Sequence, residues 1–172
     1  MALSTSAGLA REAAVRPYNP DALELEHRAF DAAFARFASW ELAERERFLR
    51  CVIQGLARGG RLLLVDLVAG GEGGEEFQSW RDAAGLPPPL WTADQYTDCL
   101  AAAGMEVHFT IDATATHRAL LREGWRRLGT RLEELDPETL LSVADVTRLW
   151  QTQAAALDAG ALAITCLCAS RG

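Results

Sequence analysis

Lysine is absent from this chain of 172 residues, and all 17 basic residues are arginine. That excludes Schiff-base chemistry, a phosphate-loop lysine and any other mechanism that needs a lysine amine. Cysteine is scarce. Cys51, Cys99, Cys166 and Cys168 have no spacing that would make a disulfide framework for a small secreted domain, and a reduced, cytoplasmic setting is expected. Cys166-x-Cys168 lacks a second ligand pair, so it reads as two small apolar residues on one strand face and not as a metal site. No apolar run approaches the roughly 20 residues needed to span a bilayer. The stretch from Met1 to Pro17 carries Ser4, Thr5, Ser6, Arg11 and Glu12 and has no signal-like apolar region, so no membrane role is expected. Positive charge is also in deficit. The net charge is −7 and the pI near 5.0, which argues against a nucleic-acid footprint.

Apolar residues make up 49% and charged residues 24% of the chain, a globular balance. Its 18.7 kDa suffice for one domain with a core. Residues 1–28 are mixed and polar, with Pro17, Asn19 and Pro20 breaking any helix, and read as an N-terminal arm. Phe30–Phe37 is a short apolar run suited to a strand. From Glu41 to Arg58, Phe48, Leu49, Val52, Ile53 and Leu56 form one helical stripe, with Gly59-Gly60 as its stop. Arg61–Val68 (RLLLVDLV) is branched and apolar on both faces, the mark of a parallel strand in an α/β sheet. Ala69–Glu76 reads as a Gly-rich loop and Pro87-Pro88-Pro89 as an extended segment. Thr92-x-x-Gln95 is a capping box that starts a helix closed by Gly104, and Met105–Ile111 alternates as a strand. Leu121, Trp125, Leu128, Leu132 and Leu135 recur at helical spacing. A further helix starts at Asp136-Pro137 and ends by Gly160, and Ala161–Ala169 is a final strand. The order β-α-β-α-β-α-α-β predicts an α/β fold, an open sheet with helices on its faces.

Several of these segments resemble one family. Phe30-Asp31-Ala32, the helix with Phe48-Leu49, and Leu56-Ala57-Arg58-Gly59-Gly60-Arg61-Leu62-Leu63-Leu64-Val65-Asp66 are similar to the stretch that spans the fourth and fifth strands of class I S-adenosylmethionine-dependent methyltransferases. Trp91-Thr92, Tyr96, Leu100 and Ala103-Gly104-Met105-Glu106-Val107 resemble the next helix and the sixth strand. Asp112-Ala113-Thr114, Trp125, Trp150 and Gly160-Ala161-Leu162 resemble a subgroup with helices inserted before the seventh strand. The resemblance implies a partial Rossmann-like sheet of about four strands. It would be mostly parallel, with an antiparallel last strand, flanking helices and a helical insertion before that strand, over residues 29–172. Intact members open with a Gly-rich cofactor loop and an acidic residue for the ribose. Neither is found here, because the Gly-rich stretch at residues 70–74 follows a later strand. The chain therefore looks like the C-terminal half of such an enzyme. S-adenosylmethionine is the implied cofactor and a small molecule the implied methyl acceptor.

Asp21 is similar to the residue that contacts adenine in intact members. Arg36, at the end of the first strand, is a candidate for the cofactor carboxylate or for a surface ion pair. Asp66, at the ligand-binding end of a parallel strand, and Trp91 and Tyr96 are candidates for a substrate pocket. Trp80, Trp125 and Trp150 are aromatic candidates too, but helical spacing makes Trp125 and Trp150 core residues. His117 and Asp112 are the candidates for a general base. Asp112 and Thr114 are equally the residue types that cap a helix, and the cap is the stronger expectation. His27 and His108 lack ligand spacing, so no metal is expected. A first strand with no neighbour leaves an apolar edge, which predicts a homodimer or a chain supplying the missing N-terminal half. The competing function is a non-catalytic dimerisation or protein-binding module of methyltransferase ancestry.

Overall fold

The computed structural model describes residues 19, 22–72, 74–130 and 137–172. Nine elements follow in chain order: β1 (Phe30–Arg36), α1 (Arg45–Gly55), β2 (Leu56–Ala69), α2 (Glu75–Ala83), α3 (Ala93–Ala102), β3 (Met105–Asp112), α4 (Thr114–Gly129), α5 (Pro137–Asp158) and β4 (Leu162–Arg171). The sheet order is β1-β2-β4-β3. β1 runs parallel to β2, and β4 runs antiparallel to both β2 and β3. Three strands thus share one direction and the last strand is the reversed one, as expected. It lies inside the sheet, between β2 and β3, and not at an edge.

Alternation along the strands divides the core in two. Leu62, Leu64 and Val68 of β2, with Leu167 and Ala169 of β4, meet Leu49, Val52 and Ile53 of α1 and Tyr96 and Leu100 of α3. The opposite face buries Leu67, Leu162 and Ile164 against Trp80 of α2, Leu121 of α4 and Ala156 and Leu157 of α5. This second layer covers only part of its face. Phe34 pairs with Leu63, Leu63 with Cys168 and Cys168 with Phe109, so one row crosses all four strands on the same side. Phe34 is 64% exposed and Ile111, one row on, 52%.

The helix expected over 41–58 is shorter at both ends, and two arginines account for it. Before it starts, the buried Arg45 guanidinium donates to the carbonyls of Ser39 (2.9 Å), Trp40 (2.6 Å) and Pro89 (3.2 Å), which holds residues 39–44 as an irregular turn. At its far end, Arg171 Nη1 donates to the carbonyls of Ile53 (3.0 Å), Gln54 (3.2 Å) and Leu56 (2.6 Å). A cation thereby satisfies carbonyls that a continuing helix would have bonded internally. The stop is Gly55 and not Gly59-Gly60. The chain turns into β2 at once, and the pairing with β1 shifts register between Phe30 and Ala32, opposite the segment where Gly59 takes φ +75°.

The Thr92–Gln95 capping box forms with both bonds, at 3.2 and 2.8 Å. Helix α2 is the element that the sequence did not announce. It begins inside the expected Gly-rich loop and carries the fully buried Trp80. Of the N-terminal arm, Leu23 accepts a bond from Cys51 Sγ (3.1 Å) and Arg28 N–H donates to the Gln54 carbonyl (3.0 Å), so residues 23–28 lie along α1. Asp21 lies outside the described residues.

Candidate ligand site

The C-terminal ends of β1 and β2 carry two neighbouring groups of side chains, one on each face of the sheet. The first is closed. Asp66 is fully buried and surrounded by donors. Its Oδ2 accepts from the Ser39 hydroxyl in a short bond, from Ser39 N–H (3.1 Å) and from the Tyr96 hydroxyl (3.2 Å), and its Oδ1 accepts from Leu67 N–H (2.9 Å). The Ser39 and Tyr96 oxygens are 2.9 Å apart. Burial pushes the Asp66 carboxyl above its ordinary range, against the lowering effect of Ser39, Leu67 and Tyr96. Burial and the adjacent Asp66 charge push the Tyr96 phenol up as well. Trp91 packs edge-on to Tyr96 (5.1 Å), and the Arg45 guanidinium stands over its ring (5.2 Å). Asp66, Trp91 and Tyr96, expected to line a pocket, are brought together here. Asp66 and Tyr96 offer no accessible surface, however, so neither can touch a ligand in this arrangement.

The second group is open. A cavity of about 660 Å³ lies between the strand ends and helices α4 and α5, with Phe37, Trp40 and Leu67 on the sheet side and Trp125, Leu149 and Trp150 on the helix side. That volume is typical of small-molecule sites. Arg36, Glu41, His117 and Gln153 are its polar residues. Phe37 occupies the left-handed region (φ +50°), rare for a bulky residue, and its N–H donates to the Val65 carbonyl (2.8 Å). Its ring meets His117 edge-on at 5.1 Å and carries the Arg36 guanidinium at 5.0 Å. His117 is 9% exposed, and its Nε2 is buried with no hydrogen-bond partner among the described residues. Burial, followed by the positive charge of Arg36, lowers the imidazole below its usual value, so it is neutral at pH 7.

Of the two candidates for a general base, Asp112 bonds at the entry to α4, as the stronger expectation had it, and not to His117. The Thr114 hydroxyl and the Thr114 N–H, which donates to Asp112 Oδ1 (2.8 Å), hold the Asp112 carboxyl below the usual carboxylate range, in the turn that enters α4. The Thr114 hydroxyl in turn accepts from Ile164 N–H (2.9 Å) and ties that turn to β4. Trp125 and Trp150, expected in the core, line the cavity in edge-to-face contact at 5.8 Å, while Trp91, the expected pocket residue, does not line it. Ser39, Phe37 and Trp40 were missed by sequence reasoning. Their only signal was position, directly after the first strand.

Neither a protein-family model nor a curated protein sequence matches the chain. Solved structures do. A sarcosine dimethylglycine methyltransferase candidate from Galdieria sulphuraria superposes with TM-score 0.82 at 16% identity, over 98% of this chain and 63% of that one. The fold is class I methyltransferase-like. Geranyl diphosphate C-methyltransferase from Streptomyces coelicolor A3(2), solved with Mg²⁺, geranyl diphosphate and S-adenosylhomocysteine, gives TM-score 0.72 at 12% identity, over 98% and 56%. The [4+2]-cyclase SpnF gives 0.67 at 22% identity, over 98% and 59%. This methyltransferase-like chain therefore spans about three fifths of the length of these neighbours. Among its described residues, the cofactor of the fold finds an incomplete setting. The turn after β1 is Phe37-Ala38-Ser39-Trp40, with no glycine-rich cradle, and Arg36 is the one cation there suited to a carboxylate. These residues alone do not fit S-adenosylmethionine.

Proposed function

We propose that this chain is part of a small-molecule methyltransferase that uses S-adenosylmethionine, completed by another chain that adds a strand beside β1 and brings the cofactor loop. The observation that carries the reading is the combination of the methyltransferase-like fold with a β1 edge that has no partner among the described residues and the exposed Phe34 row beside it. Unpaired, apolar strand edges in soluble proteins are covered by a further strand, a helix or a loop. The ligand cavity at the same end of β1 then holds the methyl acceptor next to the added cofactor. His117 lines that cavity, and a rotation of its ring would bring Nε2, buried and without a partner among the described residues, to the proton of an acceptor.

Calorimetry and light scattering test this. The expected result is no heat with S-adenosylhomocysteine for the 18.7 kDa chain alone, and micromolar binding once the chain is captured with its partner. A dimer of this chain that binds S-adenosylhomocysteine would make a second copy the partner. A captured complex that binds no cofactor would leave the competing reading, a non-catalytic protein-binding module. A shared fold does not fix a reaction, as the cyclase among the structural neighbours illustrates.

A further inference from the structure

We infer that the cavity between β1, β2, α4 and α5 binds a small organic anion, a carboxylate or phosphate on an aromatic or bulky apolar body, with the anion beside Arg36 and His117. Its identification as the methyl acceptor rests on the methyltransferase reading, whereas the binding itself does not.

Three observations carry it. First, the walls are apolar and aromatic, with Phe37, Trp40, Trp125 and Trp150 contributing flat faces and edges, which suits a rigid apolar body. Second, Arg36 makes no ion pair among the described residues. Other arginines also lack an ion pair, but among the described residues Arg36 is the arginine that lines the cavity. In a chain of net charge −7, an unpaired arginine at a cavity is a place kept for an external anion. Third, the His117 Nε2 is buried and unbonded, and buried polar atoms in folded proteins almost always have partners. Among the described residues Glu41 is the one carboxylate on the cavity wall, exposed like Arg36. Arg36 and His117 both meet the Phe37 ring, so the exposed Arg36 guanidinium and the buried imidazole lie on the same side of the cavity.

Matched naphthalene probes and calorimetry on the full chain test this: 2-naphthoate, 2-naphthyl phosphate, neutral 2-naphthalenemethanol and cationic 2-naphthylmethylamine. The expected order places at least one anion about tenfold tighter than the alcohol, with the amine weakest. The naphthoate and phosphate arms decide which anion is preferred. Arg36→Gln should erase the preference for the anion while the alcohol binds as before. Gly124 lies on the cavity wall, and a Cβ built there meets nothing within 4 Å. Gly124→Leu should therefore fill the space, abolish binding of every probe and leave the melting temperature unchanged or raised.

Equal affinity for naphthoate, phosphate and alcohol, a tighter amine, an anion preference that survives Arg36→Gln, or unchanged binding by Gly124→Leu would each overturn the inference. If naphthoate binds as stated and no complex of the chain ever binds S-adenosylhomocysteine, the methyltransferase reading falls and this site stands. If a complex binds the cofactor and no anionic probe binds, the site falls and the methyltransferase reading stands.

Discussion

Asp66 and Leu67 are neighbours in β2, and Ser39 and Trp40 are neighbours after β1, yet each pair sends its side chains to opposite faces of the sheet. Asp66 and Ser39 enter a cluster in which one carboxylate receives four donors and no surface remains. Leu67 and Trp40 line a cavity where an imidazole nitrogen has no partner. The closed side uses its polar groups to fix the turn after β1 and the position of α3. The open side leaves the His117 Nε2 without a partner and Arg36 without an ion pair among the described residues. Of two polar groups at one sheet edge, the better satisfied belongs to the fold and the worse satisfied to the function.

The largest expected effect breaks the closed side. Asp66→Ala strands two N–H groups in a buried void and leaves the Ser39 and Tyr96 hydroxyls only each other, and should cost about 3 kcal/mol in urea unfolding. The affinity for 2-naphthoate of the folded variant should stay as it was, and a tenfold weaker affinity would show that the two sides are one site. Next comes the joint between β2 and β4, where a Cβ on Gly70 would lie 2.2 Å from the Gly160 carbonyl oxygen. Gly70→Ala should cost about 1–3 kcal/mol, again read as a urea midpoint.

The pH dependence separates the two sides by sign. His117 titrates below its ordinary 6.5 in the folded chain, so the unfolded chain takes up the proton first. Stability should therefore fall as the pH drops through 6.5 toward the folded value, and His117→Gln should remove that slope. Asp66 titrates above its ordinary 3.8 when folded. Stability should rise as the pH falls through the raised value toward 3.8, and Asp66→Asn should remove that gain. Slopes of the same sign for both groups would contradict their environments. The smallest effect is a gain. Gly124→Ala, in the open interior of α4, should stabilise by about 0.5–1 kcal/mol.

Much of this architecture was legible. Local signals located β1, the Thr92 cap, the Gly104 stop and the strand that became β4, because each depends on residues within one turn of it, whereas the expected Asp136 cap and Leu132 and Leu135 lie outside the described residues. The limits of α1 were not legible. They are set by Arg45, which reaches Pro89, and by Arg171, which reaches residues 53–56 from the far end of the chain. Helix α2 was hidden because its acidic first turn, Glu75-Glu76, follows glycines and reads as loop, while its anchor Trp80 is buried by residues remote in sequence. The site was half legible. His117 and Arg36 were singled out and do line the cavity, but the tryptophans were assigned the other way round. Helical spacing marks Trp125 and Trp150 as facing inward, and it cannot show that the space they face is left empty.

The tryptophans also offer the most direct test of the division between a closed and an open side. In an ¹⁵N-labelled sample the five indole N–H signals can be assigned by single Trp→Phe variants and followed during a titration with 2-naphthoate. The signals of Trp40, Trp125 and Trp150, which line the cavity, should shift together and saturably, and that of Trp91, held between Arg45 and Tyr96, should stay in place. A saturable shift of Trp91 with Trp125 and Trp150 unmoved would contradict the account and put the ligand on the Asp66 side of the sheet.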